Sequence, residues 1–216
     1  MTTSSRWTVA VLALLTALTV ALAVELAPGA DDGPPVTPAE QAQRSHRDAD
    51  TAEALAEPRR LADLRPCPAS GRDAGPPQLR GVVVECAANG AAVEVAEALA
   101  DRTVVLNLWA YWCGPCADEL PAMQQYQRRA GDAVTVVTVH QDENETAALL
   151  RLAELDVRLP TLQDGRRRIA AALNVPNVMP ATVVLRADGS VAQILPQEFT
   201  SAEEIAAAVE SALKRR

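Results

Sequence analysis

Apolar and polar positions divide the chain into three regimes. The first, residues 7–24 (Trp7 to Val24), has 18 uncharged residues that are mostly Val, Leu, Ala and Thr. As a helix this run rises about 27 Å, close to the ~30 Å hydrocarbon core of a bilayer. Arg6 precedes it and Glu25, Asp31 and Asp32 follow, so the positive-inside rule places the rest of the chain outside the cytoplasm. A cleaved signal peptide ending near Ala21-Leu22-Ala23 is the alternative, but secretory apolar cores are shorter, about 7–15 residues. The length favours a retained anchor over residues 1–27. In the second regime, residues 28–66, Pro28, Pro34, Pro35 and Pro38 precede alanines interspersed with charged residues. This reads as a linker, flexible at first and helical around 38–57.

From residue 67 to 216 the pattern is that of one α/β domain. Val82–Val84 and Ala92–Val95 flank Asn89-Gly90 and predict a β-hairpin. Thr103–Trp109 fits a buried strand, and a helical pattern follows from Pro115 to Ala130, stopped by Gly131. A β-branched strand is expected at Ala133–His140, an amphipathic helix at Glu143–Leu155 and a short helix at Arg167–Leu173. Thr182–Arg186 and Val191–Leu195 flank Asp188-Gly189 as a second hairpin. Ser201, with Glu204 three residues on, opens a final helix to about Leu213. Alternation followed by an antiparallel pair implies a mixed sheet with helices on both faces.

Composition narrows the function. Lys+Arg number 20 against 28 Asp+Glu, a formal charge of −8, which argues against nucleic acid as a partner, since that needs a basic footprint. Aromatics are 3% of the chain, yet Trp109, Tyr111 and Trp112 fall within four positions. They lead directly into Cys113-Gly114-Pro115-Cys116, where a strand is expected to end and a helix to begin.

That junction is where a reactive thiol belongs. Amide N–H groups and the macrodipole at a helix N-terminus stabilise a thiolate. The two-residue spacer lets both sulfurs close a disulfide, and Pro115 stands in the first turn, where its missing N–H is harmless. Cys113 is expected as the exposed nucleophile and Cys116 as the buried resolving thiol. A zinc site would need four ligands; Cys67 and Cys86 could add two, but their spacing is not that of a second knuckle. Haem attachment would need His at position 117, which is Ala117. Neither a metal nor a cofactor is expected.

The segment Val105-Leu106-Asn107-Leu108-Trp109-Ala110-Tyr111-Trp112-Cys113-Gly114-Pro115-Cys116 resembles the active-site segment of the thioredoxin superfamily. More narrowly it resembles the membrane-tethered, extracytoplasmic TlpA/ResA-like thiol–disulfide oxidoreductases. Glu119 and Pro121, Val136–Asp142, Leu159–Asp164 and Val178–Leu185 match further segments in order, so the similarity covers roughly 79–214. The resemblance implies a thioredoxin-like mixed sheet flanked by helices, with an added N-terminal β-hairpin. It implies a cis peptide at Pro180, with Met179 before it and Trp112 beside the sulfur as substrate contacts, and Trp109 as packing beneath. Ala181 intervenes before Thr182 where the family usually has Pro-Thr. Asn107 replaces the titratable aspartate of cytosolic thioredoxins, and Thr138 stands where a lysine often pairs with it. Glu119 is one candidate for handling the proton, with a solvated helix-start charge as the alternative. His140 is read as a surface residue at a strand end, with tuning of the site as the alternative.

Cys67 and Cys86 lack a helix-start setting, and in an oxidising compartment they read as a structural disulfide; a relay to Cys113–Cys116 is the alternative. The expected function is an exported thiol–disulfide oxidoreductase acting on protein thiols or disulfides, leaning to reduction, with cytochrome c maturation as one role and a membrane electron donor as a further partner. The expected location is the cell membrane by a single pass, or secretion after cleavage. A non-catalytic binding or chaperone module and a disulfide-forming oxidase are the alternatives. A peroxidase is a third, but no Pro-x-x-x-Thr pattern surrounds Cys113.

Overall fold

The structure, a computed structural model, describes residues 50–71 and 75–215. The apolar run at 7–24 and the proline-rich start of the linker lie outside these residues. Among the described residues no helix is long and apolar enough to cross a membrane.

In chain order the elements are α1 (Ala52–Ala62), β1 (Val83–Cys86), β2 (Ala92–Glu94), α2 (Val95–Ala98), β3 (Val104–Trp109), α3 (Gly114–Ala130), β4 (Thr135–His140), α4 (Glu145–Glu154), β5 (Thr161–Gln163), α5 (Arg168–Ala172), β6 (Ala181–Leu185), β7 (Val191–Leu195) and α6 (Ala202–Lys214). The strands form a mixed sheet in the order β2-β1-β5-β4-β3-β6-β7.

β3 lies inside that order, parallel to β4 and antiparallel to β6. Every one of its residues is buried, as its nearly continuous apolar run requires. Strand alternation sends Val105, Asn107 and Trp109 to one face and Val104, Leu106 and Leu108 to the other. On the first face Val105 and Trp109 pack with Leu120 and Met123 of α3 and with Ile205 and Val209 of α6. On the second, Leu106 and Leu108 pack with Ile169 of α5 and Val95 of α2. Burying each such side chain stabilises the fold by about 1.5–3 kcal/mol. Ser201 caps α6 as expected, its Oγ accepting from Glu204 N–H at 3.2 Å.

The expected hairpin is β1–β2, with Val84 opposite Val93. Its turn holds Gly90 at φ +74°, where a Cβ would meet the Arg59 guanidinium. Val95, expected at the end of the second strand, instead begins α2, whose start is capped by the Glu94 carboxylate. β5 is an addition to the expected elements. It runs parallel to β4 and antiparallel to β1, and so splices the hairpin onto the central sheet.

Within the segment expected as a linker, residues from Asp50 on are folded onto the domain. Thr51 caps α1, and its apolar side, Leu55 and Ala62, packs on Ala87 and on Leu149 of α4. Arg59 donates to the Glu145 carboxylate at 2.9 Å and to the Ala87 carbonyl at 3.3 Å. The Asp50 carboxylate accepts from the N–H groups of Glu145 and Thr146, each at 3.2 Å, capping α4. Beyond α1 the chain is fastened to β1 by a Cys67–Cys86 disulfide, S–S 2.00 Å.

Candidate active site

β3 ends at Trp109 and the chain turns through Ala110-Tyr111-Trp112 into α3. Cys113 is the N-cap: its backbone is extended at φ −81°, ψ 106°, and its Sγ accepts from the Cys116 N–H at 3.3 Å. A sulfur here faces the free amide groups of the first turn, which favour negative charge. Cys113 and Cys116 form a disulfide, S–S 2.04 Å. Cys116 is fully buried and Cys113 is 7% exposed. Cys113, expected as an exposed sulfur, is therefore buried like Cys116 in this disulfide. The chain itself packs over it, Cys113 belonging to the core cluster on the α3–α6 face. Beside Gly114 there is open space.

Trp112 is 59% exposed, and its indole N–H donates to Asp142 Oδ2 at 3.0 Å. The Met179–Pro180 peptide is cis. Ala181 pairs with Leu108, so Pro180 falls beside the end of β3 from which the Cys113 turn departs. Met179 packs on the cluster that contains both cysteines.

Beneath the sulfurs lies a row of polar side chains. Asn107 pairs with Thr138 on one side and Thr182 on the other, and Thr138 bonds Thr161 through their hydroxyls at 2.8 Å. Asn107 Nδ2 donates to Glu119 Oε2 at 2.6 Å, and Glu119 Oε1 accepts from Phe199 N–H at 3.1 Å. Glu119 is buried, not a solvated helix-start charge: three residues past Cys116, it lies on the inward side of α3. Burial pushes its pKa up to about 7, against the lowering by the two hydrogen bonds.

His140 is likewise buried and not at the surface. It pairs with Trp109 in the β3–β4 ladder, and their rings stand 4.9 Å apart. β4 is covered on this face by helices, which puts its last residue inside. Burial lowers the His140 pKa to about 4, with the Gln163 hydrogen bond opposing.

A model of the redoxin family matches residues 70–209. The chain belongs to the redoxin family. It is 32% identical over 105 residues to the thioredoxin-like protein YneN of Bacillus subtilis, covering 47% of this chain and 61% of that protein. It is 28% identical over 103 residues to the thiol-disulfide oxidoreductase ResA of Bacillus cereus, covering 47% of this chain and 59% of the relative. The chain thus spans about three fifths of the length of these curated relatives. A secreted Mycobacterium tuberculosis disulfide oxidoreductase, described as homologous to E. coli DsbE, superposes with a TM-score of 0.53 at 25% identity, over 62% of this chain and 97% of that one. The fold is therefore that of the TlpA/ResA-like thioredoxin superfamily, as the active-site segment implied.

This redoxin brings Trp112, Cys113, Cys116, Met179 and Pro180 to one end of the central strands. It does not bring Cys67–Cys86 there, because β5 and β4 separate β1 from β3. Asp142 and Gln163, which hold Trp112 and His140, lie in segments that matched the family, but nothing in the sequence marked either as a site residue: each is a single polar residue in a loop or at a strand end.

Proposed function

We propose that this redoxin exchanges a dithiol and a disulfide with protein substrates through Cys113 and Cys116, in the reducing direction. The observation that carries the reading is the Cys113–Cys116 disulfide at the N-cap of α3. The reduced Cys113 thiolate attacks one sulfur of a substrate disulfide, and the S–S bond breaks to release a substrate thiolate, which takes up a proton. Cys116, giving up its proton, then attacks Cys113 Sγ and expels the second substrate sulfur. Two electrons pass to the substrate, and the Cys113–Cys116 disulfide is left for a reductant to open. Glu119, buried one turn beyond Cys116, takes the Cys116 proton, and Trp112, Met179 and Pro180 receive the substrate chain.

The name of ResA supports this chemistry, and the secreted mycobacterial disulfide oxidoreductase supports both the chemistry and a site of action outside the cytoplasm. The Gly114-Pro115 spacer, which resembles that of reducing family members, supports the direction. Disulfides of exported proteins, those of apocytochrome c among them, are the proposed substrates, and the thiols are the product. The run at 7–24 serves as anchor and a membrane protein as electron donor. Cys67–Cys86 serves structure. The test is reduction of insulin disulfides by the full chain. Activity should vanish in Cys113→Ser, and Cys116→Ser should trap a mixed disulfide; turnover by Cys113→Ser would contradict the reading. A reduction potential near −270 mV marks a reductant, and one near about −120 mV an oxidant.

A further inference from the structure

Two hydrogen bonds hold the dipeptide ahead of Cys113, and both lead to the β4–β5 side of the sheet. Tyr111 N–H donates to His140 Nε2 at 3.4 Å. A backbone N–H only donates, so Nε2 is the bare nitrogen and the ring proton sits on Nδ1. Nδ1 then donates to Gln163 Oε1 at 2.8 Å, which turns the Gln163 amide so that its Nε2 donates to the Asp142 carbonyl at 2.7 Å. Asp142 Oδ2 accepts the Trp112 indole N–H at 3.0 Å, and its other oxygen accepts Asn144 N–H at 2.9 Å. The circuit closes through the Tyr111–Trp112 peptide, with a donor facing an acceptor at every link.

The two ends of this circuit differ in kind. His140 is fully buried against Trp109, whereas Trp112 is 59% exposed. An indole that exposed has few packing contacts to choose its rotamer. Its one hydrogen bond holds it only as well as Asp142 is held, and Asp142 is held from within by Gln163 and His140. We propose that His140 and Gln163 are positioning residues that fix Trp112 at the rim of the Cys113–Cys116 site and thereby set how well a protein substrate docks. This role rests on the exchange reaction proposed above and acts through Trp112, not on the sulfurs.

The test compares the full chain with His140→Phe, which keeps an aromatic ring beside Trp109 and removes both hydrogen bonds, and with Gln163→Met, at a half-buried position, should the first variant not fold. The probes are insulin, a small aromatic disulfide and the NMR signal of the Trp112 indole N–H, assigned by its loss in Trp112→Phe. Each variant should raise KM for insulin about fivefold, the scale of one net hydrogen bond, with kcat and the small disulfide unaffected. The indole N–H should shift and exchange faster with solvent. In a Trp112→Ala background the same substitution should leave KM unchanged. An unmoved indole signal, an undiminished KM effect without Trp112, or an equal loss on both substrates would overturn the proposal. Should the wild-type chain reduce neither disulfide, the functional reading fails, while the indole signal still decides whether His140 and Gln163 hold Trp112.

Discussion

The Asn107 amide donates to the Glu119 carboxyl at 2.6 Å, and both side chains are fully buried. This bond joins the middle of β3 to the inner side of the helix that carries Cys113 and Cys116. Asn107 cannot titrate, so the titratable member of this pair is on the helix and not on the strand.

Glu119 makes stability fall with rising pH. Its folded pKa of about 7 lies above the ordinary 4.5, so its contribution is complete below pH 4.5 and is lost as pH rises through 7. Glu119→Gln should remove that slope. Relative to wild type, the variant should gain roughly 3 kcal/mol between pH 4 and pH 8, read by urea unfolding of the oxidised full chain. Parallel stability curves would contradict the assignment.

His140 acts with the opposite sign. Its folded pKa of about 4 lies below the ordinary 6.5, so its contribution is complete above pH 6.5 and is lost as pH falls through 4. His140→Phe should therefore be less sensitive to acid than wild type over that window, again by roughly 3 kcal/mol. Between about pH 4.5 and 6.5 the two groups oppose each other in the wild-type chain. Each single variant should tilt the profile in its own direction.

Helix α1 is tied to the domain by a largely buried ion pair, with Arg59 15% and Glu145 4% exposed at the side chain. Burial raises the Glu145 pKa while Arg59 opposes the rise. Arg59→Met leaves that carboxylate without its cation and should cost about 3–5 kcal/mol at neutral pH. Adding Glu145→Met should restore most of the loss, measured by thermal unfolding. A single variant as stable as wild type would show that the pair does not fasten α1.

The Cys67–Cys86 disulfide spans 19 positions and lies three strands from Cys113 in sheet order. Cys67→Ser with Cys86→Ser should lower stability by about 3 kcal/mol, the loop-closure value for such a spacing. Insulin reduction by the folded variant should be unchanged. Loss of turnover without loss of stability would favour a relay instead.

Legibility followed the range of the interaction. The strand-to-helix junction at Cys113, the buried run of β3 and the turn at Asn89-Gly90 are local patterns, and each is present where it was expected. β5 is three residues long, too short for a period, and it exists because β1 and β4 hold it on both sides. Glu119 and His140 were legible as candidates but not as buried groups. Glu119 meets Asn107 and the Phe199 N–H, and His140 meets Trp109 and Gln163, all of them distant in the chain. The Trp112–Asp142 and His140–Gln163 bonds join loops and strands 23–30 residues apart and are visible only in three dimensions.

The central claim is that Cys113, as the cap of α3, ionises easily when reduced. Its most direct measurement is the rate of iodoacetamide alkylation of the reduced full chain against pH, with the modified residue located by mass spectrometry. The account predicts alkylation at Cys113 ahead of Cys116, with a midpoint at least about one unit below the 8.5 of free cysteine. A midpoint at about 8.5, or equal labelling of the two thiols, would contradict it.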